Sequence, residues 1–422
     1  MSFLTLRRTT DSVGEIPGGT LTSLPWYRWW LYQQILSQPQ RLFLGIPNMK
    51  HEDESSWDTG FLPLWHKVRD LMLAQESVTI DGITDTLIEN GTISVTDNYS
   101  YQSTRQLIFA ILGWQTMLYK PDLLSYVHGE FNIFDETDGY RGEARVCLVQ
   151  PEHSGKQDLP SFLLGFGMML PPRQYCAFDD ADEKKLFHRT KRITPKDLNA
   201  DVLTKVCGIR LQWVDSLSCH LELDRLSGTL FLYRYPSFCV SILQQRNCVS
   251  ALQLRNMQEQ AIDVIHRCGS KSPGPTPWAS ERDIAELLQE ILLSYRLLFG
   301  QSRRSRNLFR QLRPFQGIPN EGHDKFLSSI CGMKKFKCPI KLIEREEYDL
   351  SGDFSHFRSR MVQLNSYASS KKPRSILQLW RDKRDSTAWI AFWSVLIFGS
   401  VSILLGVVQA VFQILQFVQG SR

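Results

Sequence analysis

Paired cysteines are the first thing this chain lacks. It has nine, an odd number, none in Cys-x-x-Cys spacing, and Cys331 and Cys338 stand closest. Dithiol redox and ribbon-type zinc motifs are thereby excluded, and a disulfide framework of the extracellular kind is disfavoured. Cofactor and nucleophile signatures are missing too: no Gly-x-Gly-x-x-Gly, P-loop, Gly-x-Ser-x-Gly or His-Glu-x-x-His occurs. Gly155-Lys156 has neither the glycine spacing nor the hydroxyl of a phosphate loop. His128-Gly129-Glu130 opens like a zinc-deaminase signature, but no Pro-Cys-x-x-Cys follows. Asp179, Asp180 and Asp182 lack the glycine and distal glutamate of a calcium loop. No catalytic residue can be named from such motifs, and neither a cofactor nor a metal is expected. Charge of one sign is scarce as well. With 49 Lys plus Arg against 44 Asp plus Glu, the net of +5 points to no particular partner.

The opening MSFLTLRRTTDSVGE holds no apolar run long enough for a signal peptide. What is present is material for a core: 422 residues, 42% apolar and 22% charged, enough for two to three domains of about 150 residues. A mean hydropathy of −0.24 rules out a polytopic transporter. One segment is nevertheless membrane-grade. From Ser386 to Ser421 there is no charged side chain, and Ala388 to Val408 has only Ser394, Ser400 and Ser402 as polar residues. As a helix that stretch is roughly 31 Å long, the thickness of a bilayer's hydrocarbon. Trp389 and Trp393, one turn apart at its start, suit an interfacial aromatic belt. Ser402, Gly406 and Ala410 recur at four-residue spacing, a line along which two such helices could self-associate. In the following residues Gln409, Gln413 and Gln416 share one face, while Val411, Phe412, Leu415 and Val418 share another. This predicts an amphipathic tail over 409–422 lying on the far surface; a single tilted span is the alternative.

Flanking charge orients the segment. Lys371, Lys372, Arg374, Arg381, Lys383 and Arg384 precede it against Asp382 and Asp385, and only Arg422 follows. The positive side belongs in the cytosol, so the expectation is a single-pass, tail-anchored protein with a cytosolic body, an endomembrane being the favoured address. Two glycosylation sequons, Asn90-Gly91-Thr92 and Asn98-Tyr99-Ser100, weigh little against this, since such tripeptides arise by chance.

Within the body the predicted class is α+β: mainly helical, with an antiparallel β-meander. Residues 1–24 read as a disordered tail, 25–125 as a helical subdomain, and 126–270 as an α+β subdomain. A linker at 271–278 follows (KSPGPTP), then a helical basic segment at 279–345 and a juxtamembrane linker at 346–387 before the span at 388–408. PWYRWWLYQQIL is a helix opened by proline, with Trp26 and Trp30 in the core rather than facing a ligand. RLFLGIP reads as a strand or extended connector, and ARVCLVQ as a strand. Helices are expected over 61–75, 81–89 and 104–119, the last apolar nearly all round and therefore central. No basic recognition helix follows them, so nucleic acid is an improbable partner. Alternation from Ile209 to Tyr235, broken by the turn Arg225-Leu226-Ser227-Gly228, predicts the meander. The stripe Ile284, Leu287, Leu288, Ile291, Tyr295, Leu298, Phe299 predicts a long helix ending at Gly300.

The runs RLFLGIPN, RQLIFAILGWQTMLY, WVDSLSCHLELD, GTLFLYRYPSFC and LLFGQSRRSRNLF, with the FWSVLIFG anchor, resemble a group of uncharacterised filamentous-fungal proteins with one C-terminal transmembrane segment. That resemblance covers most of the chain from about residue 25. It implies the architecture and carries over no catalytic or binding residue.

Two constellations remain. His220, Glu222 and Asp224 alternate on one face of a strand and could hold a metal or act as acid and base, although a solvated strand face explains the pattern more simply. Arg303, Arg306, Arg310 and Arg313 fall within roughly an 80° arc of a helix. Between Gly300 and Ile343 there are ten Lys or Arg against two acids, a local net of +8. Such a face could meet anionic lipid or an acidic partner, or be a solvated counterweight to acids elsewhere. The leading expectation is a non-catalytic, membrane-tethered interaction or scaffold protein whose protein partner is unknown. The alternative is a membrane-anchored enzyme with a dispersed site near the 209–235 meander. A deep polar cleft containing His220 and Asp215 would mark the enzyme.

Overall fold

The computed structural model describes residues 24–74, 77–124, 129–140, 142, 147–176, 178, 180–253, 264–269, 281–371 and 386–420. The expected 271–278 linker and the N-terminal tail lie outside the described residues. The first helix, α1 (Pro25–Leu36), starts on its proline and buries Trp26, Tyr27, Trp30, Leu31 and Ile35. Trp26 stacks on Tyr235 with ring centroids 4.0 Å apart, and the Tyr27 hydroxyl donates to the Trp114 carbonyl at 2.6 Å. Both tryptophans are therefore core residues. RLFLGIP does not form a strand: Gln40–Phe43 is a 3₁₀ turn that buries Leu42 and Phe43.

Helices α2 (Phe61–Ala74) and α3 (Ile80–Glu89) lead to α4 (Asn98–Thr116). Asp97 and Ser100 close a capping box at the start of α4, and every residue from Ser103 to Thr116 is buried. This is the central helix that its apolar circumference predicts. It ends at Thr116, with Met117 left-handed, before Pro121 can act. The buried Arg105 ties it to its neighbours by pairing with Asp81 at 2.7 Å and with Glu152 at 3.0 Å.

Strands β1 (Glu130–Asn132) and β2 (Val149–Pro151) form an antiparallel pair; of the expected ARVCLVQ strand, 144–146 lie outside the described residues and Val149 and Gln150 belong to β2. Short helices α5 (Leu159–Leu164) and α6 (Ala181–Arg189) precede β3 (Arg192–Ile193) and α7 (Ala200–Lys205). Then comes the expected meander, built from β4 (Arg210–Val214), β5 (Leu223–Asp224) and β6 (Thr229–Tyr233). It is a mixed sheet in the order β4-β6-β5, and the antiparallel expectation is corrected. β6 pairs with β5 antiparallel but with β4 parallel, Leu211 facing Leu230 and Trp213 facing Leu232. The reason lies in 215–222, where a 3₁₀ turn at Leu217–Cys219 carries the chain past β4, so the β5–β6 hairpin inserts its second strand beside it. All of β6 is buried, as a strand covered on both faces must be.

The C-terminal half packs around this sheet. Helices α8 (Pro236–Gln253) and α9 (Val264–Gly269) precede α10 (Glu281–Tyr295), which continues as a π-turn at Arg296–Gly300. The helical stripe expected there is buried throughout. Next come α11 (Arg303–Gln311), α12 (Lys325–Gly332), β7 (Tyr348–Asp349) and α13 (Arg358–Ser370). The expected linker from 346 is thus corrected. β7 pairs with β3, while Leu350, Phe354, Phe357, Met361, Val362, Leu364 and Ala368 are buried. One hydrophobic cluster runs from Trp26 to Ala368. The last helix, α14 (Ser386–Gly420), is unbroken, and none of its side chains from Ile390 to Phe417 is buried.

Candidate functional site

The strand-face reading of His220, Glu222 and Asp224 fails on burial. His220 is 0% exposed and Glu222 3%, and only Leu223 and Asp224 are strand. Leu221 adopts a left-handed φ of 64°, which breaks the alternation. The Tyr233 backbone N–H donates to His220 Nδ1 at 3.2 Å, so Nε2 carries the proton and donates to Ser294 Oγ at 2.7 Å. Ser294 in turn donates to the Ile291 carbonyl at 2.7 Å. Burial, reinforced by the Arg360 charge, pushes the imidazole down to about 3, so it stays neutral. Both ring nitrogens are consumed, and no acid orients the ring. This serine–histidine contact is structural.

Glu222 answers to Arg360, whose guanidinium lies 2.9 Å from its carboxylate and donates to the carbonyls of Ser218 (2.9 Å) and His220 (2.6 Å). Asp224 is half-buried and accepts from the turn at Leu226 N–H. Asp215 pairs with Arg234 at 2.8 Å and accepts from the Trp30 indole. These groups pin α1, the sheet and α13 together, and His220 is sealed from any substrate.

The four arginines divide. Arg303 and Arg310 are exposed on α11, Arg306 is buried, and Arg313 lies beyond the helix end at Gln311. Arg306 turns inward because its guanidinium donates to the Gly300 carbonyl at 2.6 Å, closing the π-turn. Beneath it the fully buried Arg296 donates to Ile330 O (2.6 Å), Met333 O (2.8 Å) and Lys334 O (2.9 Å), and pairs with Glu344 at 2.6 Å. It thereby caps the C-terminal carbonyls of α12. A Cβ at Gly300 would meet the Arg296 guanidinium at 2.3 Å, so this turn requires glycine. The outcome is a surface groove of about 750 Å³ lined by Gln301, Arg303, Arg306, Asn307, Arg310, Gly332, Met333 and Lys334. Among the described residues no carboxylate lines it. Burial and the neighbouring Arg296, Arg310 and Arg303 charges lower the Arg306 pKa, the mark of crowded positive charge. Its chemistry suits phosphate, sulfate or carboxylate oxygens.

In α14 the most apolar 18-residue stretch within Ile390–Phe417 has a mean hydropathy of 2.4. Its serine hydroxyls are spent inside the helix: Ser394 donates to Ile390 O (2.8 Å), Ser400 to Leu396 O (2.7 Å) and Ser402 to Phe398 O (2.8 Å). Trp393 lies near its N-terminal end, edge-on to Phe392; the Trp389 side chain is outside the described residues. A Cβ at Gly406 would meet nothing within 4 Å, so the small-residue line is bare. The helix continues through Gln409, Gln413 and Gln416 with no turn between a span and a separate tail.

A third grouping escaped sequence reasoning. Asp283, Glu286 and His356 offer donor atoms within 4.8 Å of one another. The i, i+3 acids on α10 were legible, but their histidine stands about seventy residues on, in the turn before α13. Comparisons with protein-family models, curated proteins and solved structures found no match.

Proposed function

We propose that the chain is a membrane-tethered, non-catalytic interaction protein, single-pass and tail-anchored, with its body in the cytosol and its cationic groove turned to an anionic surface. The observation that carries this reading is α14, a 35-residue helix without a charged residue, none of whose side chains from Ile390 to Phe417 is buried. In water so much bare apolar surface is untenable; in a bilayer it is expected. The 28-residue span is about 42 Å long, which exceeds the hydrocarbon thickness and favours a tilted span over a surface-lying tail. The basic flank supports the cytosolic side. Association through Ser402, Gly406 and Ala410 belongs to the same reading.

The groove fits this placement. Asn199, the N-cap of α7, accepts from the Ser305 hydroxyl of α11 at 3.1 Å, and just past the other end of α7 Cys207 contacts the Ala368 carbonyl of α13 at 3.8 Å. One short helix therefore separates the basic helix from the place where the folded body ends. The fifteen residues between α13 and α14 span at most about 54 Å. His220 and Ser294 are 0% exposed, which counts against a catalytic site built on that pair. Alkaline carbonate tests the anchor: the intact protein should stay in the membrane pellet, and a chain stopped after Asp385 should become soluble. Release of the intact protein would refute the reading.

A further inference from the structure

His356 is 1% exposed and its Nε2 makes no hydrogen bond. Its other nitrogen is committed, since Nδ1 lies 3.0 Å from the Pro171 carbonyl, an acceptor only, and must carry the proton. Nε2 is therefore a bare lone pair. It faces Asp283 Oδ1 at 3.9 Å, with the Glu286 carboxylate alongside. The ring is held there by design. Glu290, one further turn down the same face of α10, accepts the backbone N–H groups of His356 (3.0 Å) and Phe357 (2.9 Å) and the Ser355 hydroxyl (3.0 Å). Gln174 N–H reaches the Ser355 carbonyl at 2.6 Å from the other side. A buried imidazole with Nδ1–H on a backbone carbonyl and Nε2 turned to two carboxylates is the orientation that metal-binding histidines adopt.

We propose that His356 Nε2, Asp283 and Glu286 bind one divalent first-row cation of the zinc type. One nitrogen and two oxygens suit zinc or its neighbours, whereas magnesium and calcium seldom take imidazole. Donors about 2.1 Å from a shared ion stand nearer ~3.4 Å apart, so binding draws these three inward by roughly 1 Å. Solvent would complete the coordination. Without a metal the cation position between the two carboxylates is served by Arg173, whose guanidinium contacts Asp283 at 3.3 Å and also Glu286, while the exposed Arg282 pairs with Glu286 alone at 2.7 Å. Arg173 is 44% exposed and can swing out. The same carboxylates thus see either an arginine or a metal, and the two compete.

The test is zinc titration of the full-length protein in detergent, read by competition with a chromogenic chelator and by the visible spectrum after cobalt substitution. One ion should bind per chain, and excess magnesium should not displace it. Asp283→Asn, at a half-buried position, should weaken binding by at least about tenfold, and His356→Gln should abolish both binding and the cobalt bands. Arg173→Gln should tighten binding several-fold, because it removes the competing cation. An ion-pair cluster with no metal role predicts no stoichiometric zinc, or zinc binding unchanged by all three substitutions. Either result, or weaker binding in Arg173→Gln, would overturn the proposal. Asp283→Asn and Arg173→Gln keep it decidable if His356→Gln does not fold.

Discussion

Glu222 and Arg360 show what burial does to a charge. Each is at most 3% exposed, and their 2.9 Å contact is the condition for both being there. Arg360→Met should cost about 3–5 kcal/mol, because it strands a buried carboxylate. Glu222→Leu with Arg360→Met should recover most of that loss, and urea unfolding of the chain ended after Asp385, past the last core residue, measures both. If the double variant is as unstable as the single one, the pair has no coupling. Asp324 is a second buried carboxylate, accepting the N–H of Ser237 at the start of α8 (2.8 Å) and of Phe326 in α12 (2.9 Å). Burial pushes its pKa from 3.8 up to about 6. The folded state therefore holds this proton more tightly than the unfolded one; the resulting stability is complete below about pH 4 and is lost as pH rises through 6. Relative to Asp324→Asn, the native chain should gain up to about 3 kcal/mol between pH 7 and 4. A difference that does not vary with pH would remove Asp324 from the titration.

At the scale of elements, α11 divides its arginines between the interior, where Arg306 is buried, and the surface, where Arg303 and Arg310 are exposed. Arg306→Gln should cost about 1–2 kcal/mol through the lost bond to Gly300. Arg303→Gln and Arg310→Gln should leave stability within about 0.5 kcal/mol, yet each should weaken binding of the anchor-free body to anionic vesicles by roughly fivefold at moderate salt. Added salt should reduce that binding, and neutral vesicles should not support it. Equal binding to neutral vesicles would return these arginines to a solvated role. The expectation of four equivalent arginines failed because helical angle places side chains on a face without saying which face is covered. Arg306 lies within the same arc as Arg303 and Arg310, and only the π-turn beneath it draws it inward.

Across the whole molecule, orientation is the exposed question. Asn90 and Asn98 are both on the surface, so access does not limit their glycosylation; compartment does. Neither should carry a glycan when the chain is expressed in a eukaryotic cell. A glycosidase-sensitive mass shift lost on Asn→Gln substitution would put the body in the lumen. Reading from the chain was safest where a pattern answers to one environment. The mostly apolar second half of α4 and the α10 stripe needed only local periodicity, because a core will cover them whatever the topology, and the charge-free run from Ser386 needed only its length to be a long apolar helix. The direction of β4 against β6 was hidden, since side chains alternate identically in parallel and antiparallel pairs. So was the folding of 348–370, whose polar residues look like a linker until Arg360 finds Glu222 and Glu290 takes the backbone of His356. Partnerships between residues 65 to 140 positions apart leave no periodic trace. Only chain closure decides whether a polar residue is solvated or sealed, and here it sealed His220, Glu222 and His356 while leaving Arg303 and Arg310 in water.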